Sequence, residues 1–258
     1  MVVIFLPSLG DFQNVGLGMS TKSKIEHWPF RQSIDRILCP INLTQESGEA
    51  VLYAAALANA FGAKLYVCHC VELGRAVNDE IRLLGSTAEA ISRTAPCPVL
   101  VTHPDENETV EQGNVLLEKI LVGYDFSEYS DLALSYAFFL AEVYNSEIHI
   151  LHVTPQSPDR AWYPLPPQSY SQALRKLKMV VSEESRGGVR LEHAVTEGVP
   201  YREILLYAEE RGMDMICMGS RGAGFGFKAL FGSNIDRVLR QAPCPLLISR
   251  PLKWTEAE

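Results

Sequence analysis

At 258 residues, with 47 % hydrophobic and 21 % charged positions, the chain holds enough apolar material for one large globular domain or two smaller ones. A net charge of −8 repels a phosphate backbone, which argues against a nucleic-acid partner. No apolar run reaches the roughly 18 residues of a membrane span, and six cysteines without framework spacing suit reduced thiols; the expectation is a cytoplasmic chain with neither membrane span nor disulfide scaffold.

Residues 1–30 carry Gly10, Gly16, Gly18 and Pro29 and little periodicity. They are expected to form a poorly structured tail, and Met19 is an alternative start. From Arg36 onward the chain repeats itself. Arg36-Ile-Leu-Cys-Pro-Ile-Asn-Leu-Thr44 parallels Lys119-Ile-Leu-Val-Gly-Tyr-Asp-Phe-Ser127 at an offset of 83. Ala50, Ala54, Leu57, Ala58 and Phe61 keep that offset against Ala133, Ala137, Leu140, Ala141 and Tyr144, a shared helical core stripe. His69 maps onto His152 in the strand that follows. Cys68-His69-Cys70 invites a metal reading, but a strand turns neighbouring side chains to opposite faces, and core cysteines are the simpler account.

A second correspondence has another offset. Ala95-Pro-Cys-Pro-Val-Leu-Val-Thr-His-Pro104 parallels Ala242-Pro-Cys-Pro-Leu-Leu-Ile-Ser-Arg-Pro251 at 147, and Gly85-Ser86 parallels Gly232-Ser233. The offsets 147 and 83 differ by 64, so the first copy lacks about 64 residues between Glu72 and Gly85. The expected organisation is a truncated repeat over 31–104, a polar linker over 105–116 and a complete domain over 117–252.

In the complete copy, strands are expected at Lys119–Gly123, Glu147–Val153, Arg190–Thr196, Asp214–Met218 and Pro245–Ser249. Helices are expected at Ser130–Tyr144, Ser169–Ser185, Pro200–Arg211 and Ser233–Gln241, with a proline-rich loop over Pro155–Pro167. This alternation implies an α/β fold, a doubly wound parallel five-stranded sheet with right-handed crossovers. His149 and His152 are expected to pack in the core or at the strand end.

The strand ending at Met218 runs into Gly219-Ser220-Arg221-Gly222, and nine residues later come Gly232-Ser233-Asn234 and a helix. Glycines let backbone N–H groups approach phosphate oxygens, and a helix N-terminus offers unpaired donors to an anion. Arg221 and Lys228 add positive charge. The alternative for Ser233-x-x-Asp236, and for Ser86-x-x-Glu89, is a capping box. Asp125, in Tyr124-Asp125-Phe126-Ser127, offers a strand-end carboxylate to ribose hydroxyls or an exocyclic amine; its alternative is a helix N-cap. Gly222-Ala-Gly-Phe-Gly226 is an incomplete dinucleotide fingerprint, and no Gly-Lys-Ser/Thr of a P-loop follows.

With this Gly-x2-Gly-x9-Gly-Ser spacing, the sequence resembles the universal stress protein family, in full over about residues 117–251 and in part over 34–72 and 85–104. The resemblance implies ATP, with Mg²⁺ shared among its phosphate oxygens. It implies phosphates over Gly219, Gly222, Gly232 and Ser233, adenosine near Asp125, and the base against the backbone at His152 and Val153. Asn42 replaces the aspartate in the first copy, where Leu73-Gly74-Arg75 is a candidate remnant of the glycine loop; that copy is not expected to bind nucleotide by itself. The family pairs last strands across a two-fold axis, implying a homodimer or an intrachain pseudo-dimer in which Val99–Thr102 pairs with Leu246–Ser249. The expected function is an ATP-binding stress-response regulatory module rather than an enzyme. No nucleophile is paired with a base at a recognisable spacing. The alternatives are a nucleotide-free interaction scaffold and a slow ATP hydrolase.

Overall fold

The computed structural model describes residues 2–6, 34–41, 45–69, 86–102, 110–111, 114–155, 167–181, 188–222 and 232–250. In chain order the elements are β1 (Val2–Leu6), β2 (Arg36–Ile41), α1 (Gln45–Phe61), β3 (Lys64–His69), α2 (Ser86–Thr94), β4 (Val99–Val101), β5 (Val110–Glu111) and β6 (Asn114–Val115). There follow β7 (Lys119–Gly123), α3 (Glu128–Tyr144), β8 (Glu147–Pro155), α4 (Pro167–Lys178), β9 (Arg190–Gly198), α5 (Pro200–Arg211), β10 (Met215–Gly219), α6 (Ser233–Gln241) and β11 (Leu246–Ser249). No helix among the described residues is long and apolar enough to cross a membrane.

Nine strands form one sheet in the order β3-β2-β1-β4-β11-β10-β7-β8-β9. The stretch β11-β10-β7-β8-β9 is parallel throughout, the five-stranded unit expected of the second half. Its strands alternate between two cores. Ile120, Val122, Ile148, Ile150, Met215 and Cys217 lie in the core beneath α1, α3 and α4. Leu121, Leu151, Ile216 and Met218 lie in the core beneath α5 and α6. Near-continuous apolar strands between two helical layers are what a doubly wound sheet requires. The first half shares these cores: Phe61 of α1 stacks at 5.2 Å on Phe139 of α3.

The two halves meet where β4 pairs antiparallel with β11, the pairing of last strands that the family resemblance implies. The register is Val99↔Ile248, Leu100↔Leu247 and Val101↔Leu246. Leu100 therefore faces its own counterpart Leu247, and the positions on either side are exchanged about a local two-fold centred on that pair. The flanking helices obey the same symmetry. Arg93 pairs with Asp236, and Arg240 with Glu89 at 2.8 Å, while Arg93 also meets Glu89 at 3.0 Å along its own helix. These side chains keep 27–38 % of their exposure, so each pair contributes about 0.2–1 kcal/mol and chiefly fixes register. A stronger tie comes from Arg250, which is buried. Its Nη1 donates to the carbonyls of Arg93 and Ala95, both at 2.9 Å, and its Nη2 to that of Ser92. One guanidinium thus caps the negative end of α2 from the opposite half of the chain.

Three expectations change. Val2–Leu6 is not tail but a strand between β2 and β4, antiparallel to both; residues 7–33 lie outside the described residues. The linker is partly structured: β5 and β6 pair antiparallel, and Val115 is a core residue. The helix expected at Ser169–Ser185 runs instead over Pro167–Lys178. It begins at the last proline of the loop, whose preset φ suits a first helical turn. The remaining boundaries of the complete copy fall within two residues of expectation. Leu73–Arg75, Cys70 and 156–166 lie outside the described residues.

Replacing Arg250 with Ala strands three buried carbonyl acceptors and should cost about 2–3 kcal/mol. Thermal unfolding should show a melting temperature lower by about 5–10 °C, while Glu89→Gln should shift it by about 2 °C or less.

Candidate functional site

In the parallel unit the chain starts at β7, moves outward through β8 and β9, then returns to add β10 on the other side of β7. The carboxyl ends of β7 and β10 are therefore the topological switch point, where an open sheet leaves a crevice. Tyr124–Ser127 leave β7 there, and Ser220–Gly222 leave β10.

After β7 the backbone turns sharply. Phe126 adopts φ 63°, a left-handed conformation that costs a non-glycine residue about 1–2 kcal/mol. The turn brings Asp125 back over Ser127: Asp125 Oδ1 accepts the Ser127 hydroxyl at 2.5 Å and its N–H at 3.1 Å. Ser127 is the N-cap of α3, its Oγ accepting from the Ser130 N–H at 3.2 Å. The alternative reading of Asp125 as the N-cap is thus corrected, because Ser127 holds that role. The other oxygen, Oδ2, faces the glycine loop. A Cβ placed on Gly222 would sit 2.8 Å from it. The Asp125 carboxylate and the glycine segment, 97 residues apart in sequence, are neighbours.

Aromatic side chains brace this turn. The buried Tyr124 hydroxyl donates to Asp131 Oδ1, and burial with the adjacent Asp131 carboxylate drives its pKa far above the ordinary phenol value. His152 Nδ1 lies 2.8 Å from the Tyr124 carbonyl. A carbonyl can only accept, so Nδ1 carries the proton. The exposed Phe126 ring meets His152 edge-on at 4.7 Å and Tyr124 at 5.2 Å. Val153, next along β8, is half-buried. His149, three residues earlier than His152, is buried and bonds Tyr207 at 2.9 Å. Burial lowers its pKa, and it is a core residue.

The three glycines have three different reasons. At Gly219 a Cβ would lie 2.6 Å from Tyr129 Cβ and 2.7 Å from its backbone carbon, so glycine is imposed by the packing of β10 against α3. At Gly222 the obstacle is the Asp125 carboxylate. At Gly232 a Cβ would have its nearest neighbours 3.8 Å away, so packing imposes nothing there. Gly232 is the N-cap of α6 and makes no side-chain cap; its own N–H donates to the Ser220 carbonyl at 3.2 Å. The capping box expected from Ser233 to Asp236 does not form, because Ser233 is already the first helical residue and Asp236 is engaged by Arg93. Ser233 is exposed and Asn234 half-buried, while Met218 and Ser220 are buried. The Ser220 N–H donates to the Ser249 carbonyl at 3.0 Å, bringing the last strand to the same corner.

Arg221 reaches Tyr129: its Nη1 is 3.3 Å from the hydroxyl and its guanidinium lies 5.7 Å from the ring centre. Lys228 and the rest of 223–231 lie outside the described residues. Tyr129 and Ser249 were not anticipated. Ser249 Oγ lies 3.1 Å from the Tyr129 carbonyl and 3.3 Å from that of Met218, its single proton shared between the two acceptors. The available signal was positional: Tyr129 begins the helix that must face the glycine loop, and Ser249 ends the last strand. Among the described residues no three His, Cys, Asp or Glu side chains cluster as a metal site. Cys39 and Cys97 are buried thiols whose pKa burial pushes up to about 11.

A switch point between β7 and β10, an aspartate beside a glycine turn and a helix N-terminus without a side-chain cap belong to an α/β protein built on a doubly wound parallel sheet. The model of the universal stress protein family matches residues 117–250, just over half of the chain, and the chain belongs to that family. It is 30 % identical over 156 residues to universal stress protein MJ0531 of Methanocaldococcus jannaschii, a match covering 57 % of this chain and 90 % of that protein. It is 29 % identical over 192 residues to universal stress protein Rv2623 of Mycobacterium tuberculosis, covering 73 % of this chain and 62 % of that protein. A universal stress protein from Archaeoglobus fulgidus superposes with a TM-score of 0.58 at 22 % identity, over 83 % of this chain and 97 % of that one, which shows the shared fold. Membership ties the chain to the stress response.

The glycines give a sharp contrast. Gly219→Ala forces backbone to move and should cost about 3 kcal/mol, lowering the melting temperature by roughly 10 °C. Gly232→Ala should change stability by about 1 kcal/mol or less, since a poorer cap residue and a stiffer unfolded chain offset each other. Thermal unfolding of the two variants side by side checks the assignment.

Proposed function

We propose that the second half of the chain binds ATP and that occupancy of this site is the signal the protein carries in the stress response. The observation that carries the reading is the approach of Asp125 Oδ2 to Gly222 at the switch point, beside an α6 N-terminus that has no side-chain cap. Ser127 holds Asp125 through Oδ1. The second oxygen, turned toward Gly222, is positioned to accept from ribose hydroxyls. Phosphates would take the N–H groups at Gly222, Ser233 and Asn234. Gly232 keeps a Cβ away from the helix end where phosphate would approach. The base would lie toward Val153, with Phe126 and His152 fixing the turn beneath it. Mg²⁺ would be held by phosphate oxygens and water rather than by a protein cage, the usual arrangement for that ion.

Gly219 enters this reading differently from its motif partners. Its glycine lets β10 close against Tyr129, which aims the loop; it need not touch phosphate. The protein's role is recognition rather than catalysis. Release of phosphate above a no-protein blank, abolished by Gly232→Val, would move the reading to a slow hydrolase.

A second reading has its own observation. The paired β4 and β11, the symmetric ion pairs and Arg250 build a dimer-like joint inside one chain. A tandem arrangement, a truncated copy docked on a complete one, accounts for it. The Rv2623 match covers 73 % of this chain, more than the segment from 117 onward contains, so it extends into the first half. On this reading the joint is a scaffold and the nucleotide is dispensable.

Calorimetric titration with Mg-ATP separates the two. Micromolar binding to the full chain, weakened at least about tenfold by Asp125→Ala and by Gly232→Val, supports the ATP reading. Absence of binding to folded, nucleotide-free protein contradicts it and leaves the scaffold.

A further inference from the structure

In the complete half, one strand separates the first strand from the last: β10 lies between β7 and β11, parallel to both. In the first half, β2 and β4 stand at the matching sequence positions, Arg36 against Lys119 and Val99 against Leu246. The segment that should carry the strand between them is the one missing by about 64 residues. The space between β2 and β4 is nevertheless filled. It is filled by β1, from the segment ahead of β2 and in the opposite direction.

We propose that the gap between β2 and β4 is a strand-acceptor site, and that the chain's own N-terminal segment Val2–Leu6 is its resident ligand. The proposal rests on the repeat reading of the first half and is independent of whether the second half binds ATP.

Neighbouring strands lie about 4.8 Å apart, so β2 and β4 without an occupant would stand about 10 Å apart across an open slot. Each would present a row of unpaired N–H and C=O groups in the middle of the sheet. Burying such groups unpaired costs about 1–3 kcal/mol apiece, which makes an empty slot untenable. The slot lies among fully buried residues, Ile37 and Cys39 on β2 and Val99, Leu100 and Val101 on β4. Only an apolar segment with strong strand preference suits such a place, and Val-Val-Ile-Phe-Leu is one.

The register shows continuous pairing on both sides. Ile4, Phe5 and Leu6 face Leu38, Ile37 and Arg36 of β2; Val2, Val3 and Ile4 face Val101, Leu100 and Val99 of β4. Ile4 is the residue at which all three strands are in register. The reversed direction follows from connectivity. A parallel strand needs a crossover over one face of the sheet, whereas a segment joined ahead of β2 can enter antiparallel without one. Leu6 faces Arg36, yet 27 residues separate Leu6 from Ile34, far more than a hairpin turn requires. The ligand class is therefore a short, extended, uncharged apolar peptide, recognised through its backbone ladder.

The test uses the full chain. Amide hydrogen exchange should show Val3–Leu6 protected by at least about a hundredfold over unstructured peptide. Ile4→Pro removes a ladder donor at the shared register position and should release the segment. A fluorescent peptide with the sequence of residues 1–10 should then bind the Ile4→Pro chain saturably and bind the unaltered chain at least tenfold more weakly, because there the slot is occupied. Exchange of Val3–Leu6 at free-peptide rates in the unaltered chain overturns the proposal. So does equal peptide binding to both chains, or none to a folded Ile4→Pro chain. If Ile4→Pro does not fold, exchange in the unaltered chain decides alone.

Discussion

The ladder between β4 and β11 is the constraint on which the rest of the molecule depends. Each half ends its sheet on a strand with one unpaired side, and an unpaired strand edge in an apolar setting is costly. Pairing the two edges closes both at once. Leu100 and Leu247 sit at the centre of that pairing and both belong to the core beneath α1, α3 and α4. The hydrophobic layer therefore runs unbroken from one half into the other. Around it the contributions are unequal. The helix-surface ion pairs are half-exposed and screened by solvent, so they select register. Arg250 is buried and satisfies three carbonyls at the end of α2, so it contributes more than any of them.

The candidate site follows from the same sheet. Parallel β7 and β10 place two chain exits side by side, and each exit needs a special backbone feature. After β7 it is the left-handed Phe126, stabilised by the Asp125–Ser127 hydrogen bonds and the aromatic contacts with His152 and Tyr124. After β10 it is a glycine forced by the close approach of Tyr129. Packing explains Gly219 and a neighbouring carboxylate explains Gly222. Neither accounts for Gly232, where a Cβ at the beginning of α6 would make only ordinary van der Waals contacts. An unexplained glycine at a donor-rich helix end is the strongest local argument for an anionic ligand.

Much of this was legible in the residues. Apolar runs at Lys119–Gly123 and Met215–Met218 and the apolar stripe from Ala133 to Ala141 pointed to the parallel unit, and Pro200 and Ser233 marked helix starts that the structure reproduces. The resemblance to the family implied the β4–β11 pairing, and the offset of 147 located the two segments that make it. Other features were hidden for physical reasons. Val2–Leu6 has strand preference but no alternation, and its partners are remote in sequence, so tertiary pairing is what distinguishes it from a tail. The capping alternatives at Asp125 and Ser233 each missed by one or two positions, since cap identity depends on where the chain bends rather than on residue type alone. That Gly219 is steric could not be read at all, because Tyr129 lies 90 residues earlier and is brought there by the fold.

If the second half binds ATP as proposed, one ligand spans the turn after β7 and the N-terminus of α6. Amide chemical-shift mapping by nuclear magnetic resonance, comparing adenosine with Mg-ATP on the same labelled chain, tests this most directly. Adenosine should shift the amides of Asp125, Phe126 and Val153 and leave Ser233 and Asn234 unmoved, whereas Mg-ATP should shift both groups together with Gly222. Saturating Mg-ATP that leaves Gly222, Ser233 and Asn234 unmoved would contradict it.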